Sequence, residues 1–148
     1  MAAWYTSNWH PMYYVGMDTE CLIVDGGPIT PAELVDVARS GRQVQVGSNA
    51  IDLMQASRKT VEQVVASDEA IYGINTGFGA LSTTKISRDQ LCDLQMNLLR
   101  SHAAGAGDPL DKDIVRGMMV LLAASLCRGH SGVRPILAQC LAEMLNAG

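Results

Sequence analysis

Two short segments near the start of the chain have the pattern of β-strands. The apolar run at 21–27 ends in a glycine pair, which is typical of a short strand followed by a turn. The segment 42–47, "RQVQVG", alternates polar and apolar residues, so Val44 and Val46 are expected on the same buried face. The sequence therefore predicts a small two-strand element near the start.

The rest of the pattern is helical, so the expected fold class is mainly α. Thr30 and Glu33 have the spacing of a capping box around Pro31, and Gly41 is expected to end that helix. Further helices are predicted from Ser48 or Asn49 to about Ser67, from Ser87 to the residues before the loop at 101–110, from Leu110 to about Arg128, and through 134–148.

The last two predicted helices are apolar around most of their circumference. A helix of that kind needs cover on several sides, and a chain of 148 residues offers little to supply it. This pattern indicates a partner surface, an oligomer, or a further part of the same protein.

Composition changes abruptly after the first sixteen residues. Residues 1–16 hold five of the seven aromatic side chains and lack both the basic start and the apolar run of a secretory signal. We therefore predict a disordered leader at 1–16, with 17–148 forming part of a single domain. No later segment has the apolar length of a membrane span, so no membrane contact is expected. A net charge of −4 without a Lys/Arg cluster gives no reason to expect nucleic-acid binding.

Cysteine and histidine positions argue against a metal site. The four cysteines, Cys21, Cys92, Cys127 and Cys140, form no CxxC pair, and the three histidines are scattered. Three of the cysteines fall among apolar helical positions. They are expected to be small buried hydrophobes in a protein of the reducing cytoplasm.

The glycine-rich stretch 70–81, "AIYGINTGFGAL", contains Tyr72 and Phe78, the only aromatic residues after the leader. Its glycine spacing matches neither common phosphate-binding motif, which disfavours a nucleotide site. Two hypotheses remain for Tyr72. It is a general acid or base presented by an irregular loop, or its ring packs into the core over a turn.

His102 is a second candidate, placed between a predicted helix and a glycine-rich loop. An imidazole there can hydrogen-bond to a polar substrate ring or carry a proton. The alternative is a histidine that interacts favourably with a helix C-terminus and has no part in chemistry.

Four segments, in order along the chain, carry a resemblance to a known family: "YGINTGFG", "NLLRSHAAGAG", "RGHSGVRP" and "MLNAG". They resemble the N-terminal part of the aromatic amino acid ammonia-lyases, from about Leu22 to Gly148. The pair Ser101–His102 is similar to the histidine-specific branch. Phenylalanine and tyrosine lyases usually carry a ring, or a histidine followed by an apolar residue, at this point.

The resemblance implies roles for three residues. Tyr72 matches the tyrosine that takes the proton from the β-carbon of the substrate. His102 matches the position that contacts the substrate ring, and Gly79 matches a glycine lining the pocket. Asn75 and Phe78 share the motif without an implied chemical role. The implied reaction converts L-histidine to urocanate and ammonia, the first step of histidine breakdown, in a homotetramer.

The family's electrophile, a methylidene-imidazolone (MIO) group, is made from an internal Ala-Ser-Gly, and no such tripeptide occurs in the 148 residues. The family places it shortly after a segment like "MLNAG". The chain is therefore expected to be an N-terminal fragment, inactive by itself. Two other hypotheses stay open: a tyrosine or phenylalanine ammonia-lyase or aminomutase, and a non-catalytic interaction module.

Overall fold

The computed structural model of the chain describes residues 20–148, so the expected leader at 1–16 lies outside the described residues. The mainly helical class with a two-strand element is confirmed. In chain order the elements are β1 (Leu22–Val24), α1 (Pro31–Val35), β2 (Val44–Val46), α2 (Ser48–Ala66), α3 (Leu91–His102), α4 (Lys112–Cys127) and α5 (Pro135–Ala147).

The two strands pair in parallel, with Leu22 opposite Val44 and Val24 opposite Val46. In both strands the outer residues are buried and the middle one is exposed, which the alternation at 42–47 predicts for β2. Parallel neighbours need a crossover, and the helical segment from Pro31 to Ser40 provides it.

Helix α1 begins with the predicted capping box. The Thr30 hydroxyl oxygen accepts from the Glu33 amide at 3.3 Å, and the Glu33 carboxylate accepts from the Thr30 amide at 2.8 Å. The helix continues as one π-helical turn over Asp36–Ser40 and ends at Gly41, which has a φ of +72°.

Helix α2 begins at Ser48, as predicted, but without a side-chain cap, whereas the predicted start of α3 at Ser87 is wrong. Gly47 precedes α2, and Asn49 uses its side-chain amide to reach the Asp25 carbonyl rather than to cap the helix. Helix α3 begins at Leu91 instead of Ser87 because the Ser87 hydroxyl bonds to the Gln90 side chain, at 2.9 Å. Neither side chain therefore accepts from a helix amide.

The core lies where β1, β2, α2, α4 and α5 meet the π-helical turn. It is built from aliphatic side chains, with Val37, Met54 and Val120 among the most buried. Arg116 of α4 is 8% exposed and crosses this core. Its guanidinium donates to the Val37 carbonyl at 2.9 Å and to the Leu145 carbonyl at 2.8 Å.

Asn146 lies in the last turn of α5 and bonds to β2. Its side chain accepts from the Val44 amide at 2.8 Å and donates to the Val44 carbonyl at 2.9 Å. These are the bonds that a neighbouring strand would make, so the amide satisfies the outer edge of β2.

Helices α4 and α5 bury one face each and expose the other, as their composition indicated. Met118 is 59% exposed and Met144 61%.

The cysteine prediction is wrong for Cys92 and Cys140, which are exposed, although Cys127 is buried. Within residues 20–148, no helix combines the length and apolar character that crossing a membrane requires.

Candidate active site

The glycine-rich stretch forms a closed loop between α2 and α3. Thr76 and Lys85 form an antiparallel bridge, and the Ile86 amide donates to the Asn75 carbonyl at 2.9 Å. At the other end of the stretch, the Ile71 carbonyl accepts from the Asn75 amide at 3.2 Å, which closes a turn. Tyr72 lies inside this turn, so the loop presents it at the surface.

Tyr72 is 62% exposed and does not enter the core. The hypothesis that its ring packs into the core is therefore wrong. Its ring meets the half-buried Phe78 edge to face, with centroids 6.3 Å apart and planes at 73°. Among the described residues no hydrogen bond involves its hydroxyl, which is therefore open to an incoming molecule.

Glycine is required at two places in this loop. A Cβ on Gly77 would lie 2.6 Å from the Leu81 Cβ, so only glycine permits this approach. Gly79 has a φ of +58° and starts the short 3₁₀ turn that ends at Leu81. No heavy atom outside its chain neighbours lies within 4 Å of a Cβ built on Gly79, so its surface is open.

Asn75 is the residue that holds the turn together. It is 2% exposed, and its side chain bonds to three backbone groups of the preceding segment. The sequence argument gave it no role. The signal available was an asparagine among glycines, a residue whose short amide often bonds to nearby backbone.

His102 is the last residue of α3 and is exposed. Its Nδ1 lies 2.9 Å from the Leu98 carbonyl oxygen and 3.0 Å from the Ser101 hydroxyl, which itself donates to that carbonyl. A carbonyl only accepts, so the proton of neutral His102 is on Nδ1. The Nε2 atom then has a lone pair to accept with and no hydrogen-bond partner within residues 20–148.

The described residues do not join Tyr72 and His102 into one site. No hydrogen bond or ring contact links them, and α3 has no buried residue. A cleft of about 440 Å³ between the ends of α2 and α3 is lined by Asn75 and Lys85, and by neither candidate. Both face outward, so any site that uses both needs a further surface.

No group of three or more histidine, cysteine or acidic side chains within residues 20–148 could hold a metal ion. The four cysteines are unpaired. Burial, with a smaller contribution from nearby Asp25, raises the pKa of Cys127 above its ordinary value. A buried neutral thiol is not a reactive nucleophile, so Cys127 is structural.

Comparison with known proteins decides the family. Residues 29–148 match the family model described as aromatic amino acid lyase. The chain belongs to this family. It is 44% identical over 126 residues to a histidine ammonia-lyase of Paracidovorax citrulli, which covers 85% of this chain and 25% of the relative.

Solved structures place the chain on the same fold. It superposes on histidine ammonia-lyase from Trypanosoma cruzi with a TM-score of 0.77 and 36% identity, covering 87% of this chain and 25% of that one. A tyrosine aminomutase from Streptomyces globisporus gives a TM-score of 0.80 and 34% identity, covering 86% and 24%. The chain spans about a quarter of the length of the curated relatives it matches.

Proposed function

We propose that this chain is the N-terminal part of a histidine ammonia-lyase, with residues 17–148 forming one unit of its lyase domain. The reaction would convert L-histidine to urocanate and ammonia, the first step of histidine breakdown. The observation that carries the proposal is the 44% identity to a histidine ammonia-lyase, because that relative is named for this substrate. The pair Ser101–His102 supports the same branch.

In this proposal Tyr72 removes a proton from the β-carbon of the substrate. Its exposure, its open hydroxyl and its place on an anchored loop support that role. A phenol with a reference pKa near 10 is a weak base at neutral pH, so the complete site must favour the phenolate or acidify the substrate proton.

His102 would recognise the ring of the substrate. With Nδ1 donating to the Leu98 carbonyl, neutral His102 offers Nε2 as an acceptor. The N–H of an imidazole ring is a matching donor, whereas the phenyl ring of phenylalanine offers none. Gly79 would line the same pocket, where the lack of a side chain leaves room for the ring.

The residues of this chain do not themselves supply an MIO group. Ala124–Ser125 is followed by Leu126 inside α4, and Ser40–Gly41 is preceded by Arg39. Where the group is present, it attracts the amine or ring of the substrate and makes loss of ammonia possible. We propose that it comes from polypeptide beyond this chain, in a cytoplasmic homotetramer, with no metal, nucleic acid or membrane involved.

A second candidate is a tyrosine-specific aminomutase or lyase. The similarity to the Streptomyces globisporus aminomutase favours it, since that fold matches about as well as the histidine enzyme. Ser101–His102 argues against it, because those enzymes usually carry a histidine followed by an apolar residue. The exposed apolar faces of α4 and α5 are the observation that favours the other alternative, a non-catalytic interaction module.

The gene itself provides the first test. Reading downstream of codon 148 should reveal an Ala-Ser-Gly in frame shortly after Gly148, and its absence would contradict the proposal. The 148-residue chain alone should form no urocanate. In the complete protein, meaning this chain with any polypeptide encoded after it, His102→Leu should weaken use of histidine, whereas the exposed Asn97→Leu on the same helix should not.

A further inference from the structure

We propose that Asn75 is a positioning residue that sets the place of Tyr72. The inference rests on the proposed function only in making Tyr72 the base; the anchoring itself is independent of that function. Within residues 20–148 the Asn75 side chain makes no hydrogen bond to Tyr72. It is also not one of the residues proposed to contact the substrate.

All polar atoms of the Asn75 side chain are used inside the fold. Its Oδ1 accepts from the Ile71 amide at 2.7 Å, and its Nδ2 donates to the Glu69 carbonyl at 2.7 Å. The same Nδ2 lies 3.5 Å from the Val64 carbonyl in the last turn of α2. At 2% exposure these bonds are shielded from competing water.

These hydrogen bonds fix the backbone on both sides of Tyr72. Ile71 immediately before it is held by the Asn75 side chain, and Asn75 is held in turn by the Ile86 amide at 2.9 Å. The Tyr72 side chain makes one ring contact, with Phe78, and is otherwise exposed. Its position is therefore determined by the backbone anchors on either side rather than by its own packing.

Asparagine suits this position because one planar group provides an acceptor and two donors at short reach. Aspartate has the same shape but lacks the donors, and it would direct a charged oxygen at the Glu69 carbonyl. Glutamine would add a methylene and move its amide away from the three backbone groups that the Asn75 side chain meets.

The first experiment compares Asn75→Asp with Gln63→Glu in the chain by NMR. Gln63 is exposed on α2 and its side chain makes no hydrogen bond with the described residues, so Gln63→Glu controls for the added charge. In Asn75→Asp the carboxylate keeps an acceptor for the Ile71 amide, but its second oxygen faces the Glu69 and Val64 carbonyls and is repelled by them. We expect the side chain to leave this site and exchange of the Ile71 amide to rise roughly tenfold or more. The nuclear Overhauser contact between Tyr72 and Phe78 should be lost, while core resonances such as Val44 stay in place.

The outcome that overturns the proposal is an unchanged Tyr72–Phe78 contact in a folded Asn75→Asp chain. If that variant does not fold, the unaltered chain decides. Its Ile71 amide should be protected, whereas the Tyr72 amide, which has no acceptor among the described residues, should exchange quickly. Equal exchange at the two positions would refute the anchoring.

The second experiment uses the complete protein. Asn75→Asp should lower kcat for L-histidine by roughly tenfold to a hundredfold with KM changed less than about threefold, because the base is misplaced while ring recognition remains. Gln63→Glu should leave both constants unchanged. An unchanged kcat would overturn the positioning role. A wild-type protein that does not deaminate histidine would instead refute the proposed function, and the NMR result would still decide the anchoring.

Discussion

Replacement of Tyr72 by phenylalanine should separate stability from catalysis. The change keeps the ring, and with it the edge contact to Phe78 at 6.3 Å. The hydroxyl that it removes has no hydrogen-bond partner among the described residues, and the side chain is 62% exposed. No buried group loses a hydrogen bond, so the free energy of unfolding should change by less than about 0.5 kcal/mol.

Catalysis should respond very differently. Loss of a positioned general base typically lowers the rate by about 10² to 10⁴, which corresponds to roughly 2.7–5.4 kcal/mol of transition-state stabilisation. In the complete protein, kcat for L-histidine should fall in this range while KM changes little, because Tyr72→Phe still fills the same space. Urocanate absorbance measures turnover, and urea unfolding followed by circular dichroism measures stability.

Tyr72→Ala provides the matched control for the ring. It should lose the edge contact and destabilise the chain by about 0.5–1.5 kcal/mol. A Tyr72→Phe protein that is destabilised by more than about 1.5 kcal/mol would show that the hydroxyl is structural. A Tyr72→Phe enzyme within about threefold of the wild-type kcat would refute Tyr72 as the base.

Three further predictions concern the fold. Arg116→Met should lower the free energy of unfolding by about 2–4 kcal/mol, because two buried carbonyls lose their guanidinium donor. The exposed Arg88→Met should change it little, and urea titration measures both. Hydrogen bonds from Thr30 lower the pKa of the Glu33 carboxyl below its ordinary value of 4.5. The stabilisation by this carboxylate is therefore present above pH 4.5 and is lost as the pH falls through the lowered pKa. Glu33→Gln should remove this contribution, so the free energy of unfolding should fall less steeply with pH in acid. A thiol reagent at neutral pH should modify Cys92 and Cys140 in the folded chain and Cys127 only after unfolding.

Local chemistry made part of the fold predictable. The capping box at Thr30 and Glu33 involves residues three apart, and the alternation of Val44 and Val46 needs one buried face, so both could be read from short windows. The start of α3 could not. Ser87 is a good capping residue by type, but its hydroxyl has a competing partner in the Gln90 side chain.

Long-range contacts were out of reach of the sequence pattern. Arg116 bonds to a carbonyl 79 residues away, and Asn146 pairs with Val44 across 102 residues. A charged residue in an apolar helix gives no sign of which carbonyls will satisfy it. The exposure of Cys92 was missed for a related reason: periodicity gives an apolar face, and tertiary packing decides how much of it is covered.

Two residues of the candidate site could be picked out from the sequence, and a third could not. Tyr72 stood out because the chain has so few aromatic residues, and the structure adds its exposure and its anchored turn. His102 was found from its position, but the tautomer followed only from the 2.9 Å contact to the Leu98 carbonyl. Asn75 was passed over because its role depends on three backbone partners that only the folded turn brings together.

The most direct test of the proposed histidine ammonia-lyase activity compares three substrates with the complete protein. L-histidine, L-tyrosine and L-phenylalanine are assayed separately, and the formation of urocanate, coumarate and cinnamate is followed by absorbance. We expect urocanate as the main product, with kcat/KM for L-histidine far above the other two values. A higher kcat/KM for tyrosine or phenylalanine, or conversion of tyrosine to its β-isomer, would contradict it.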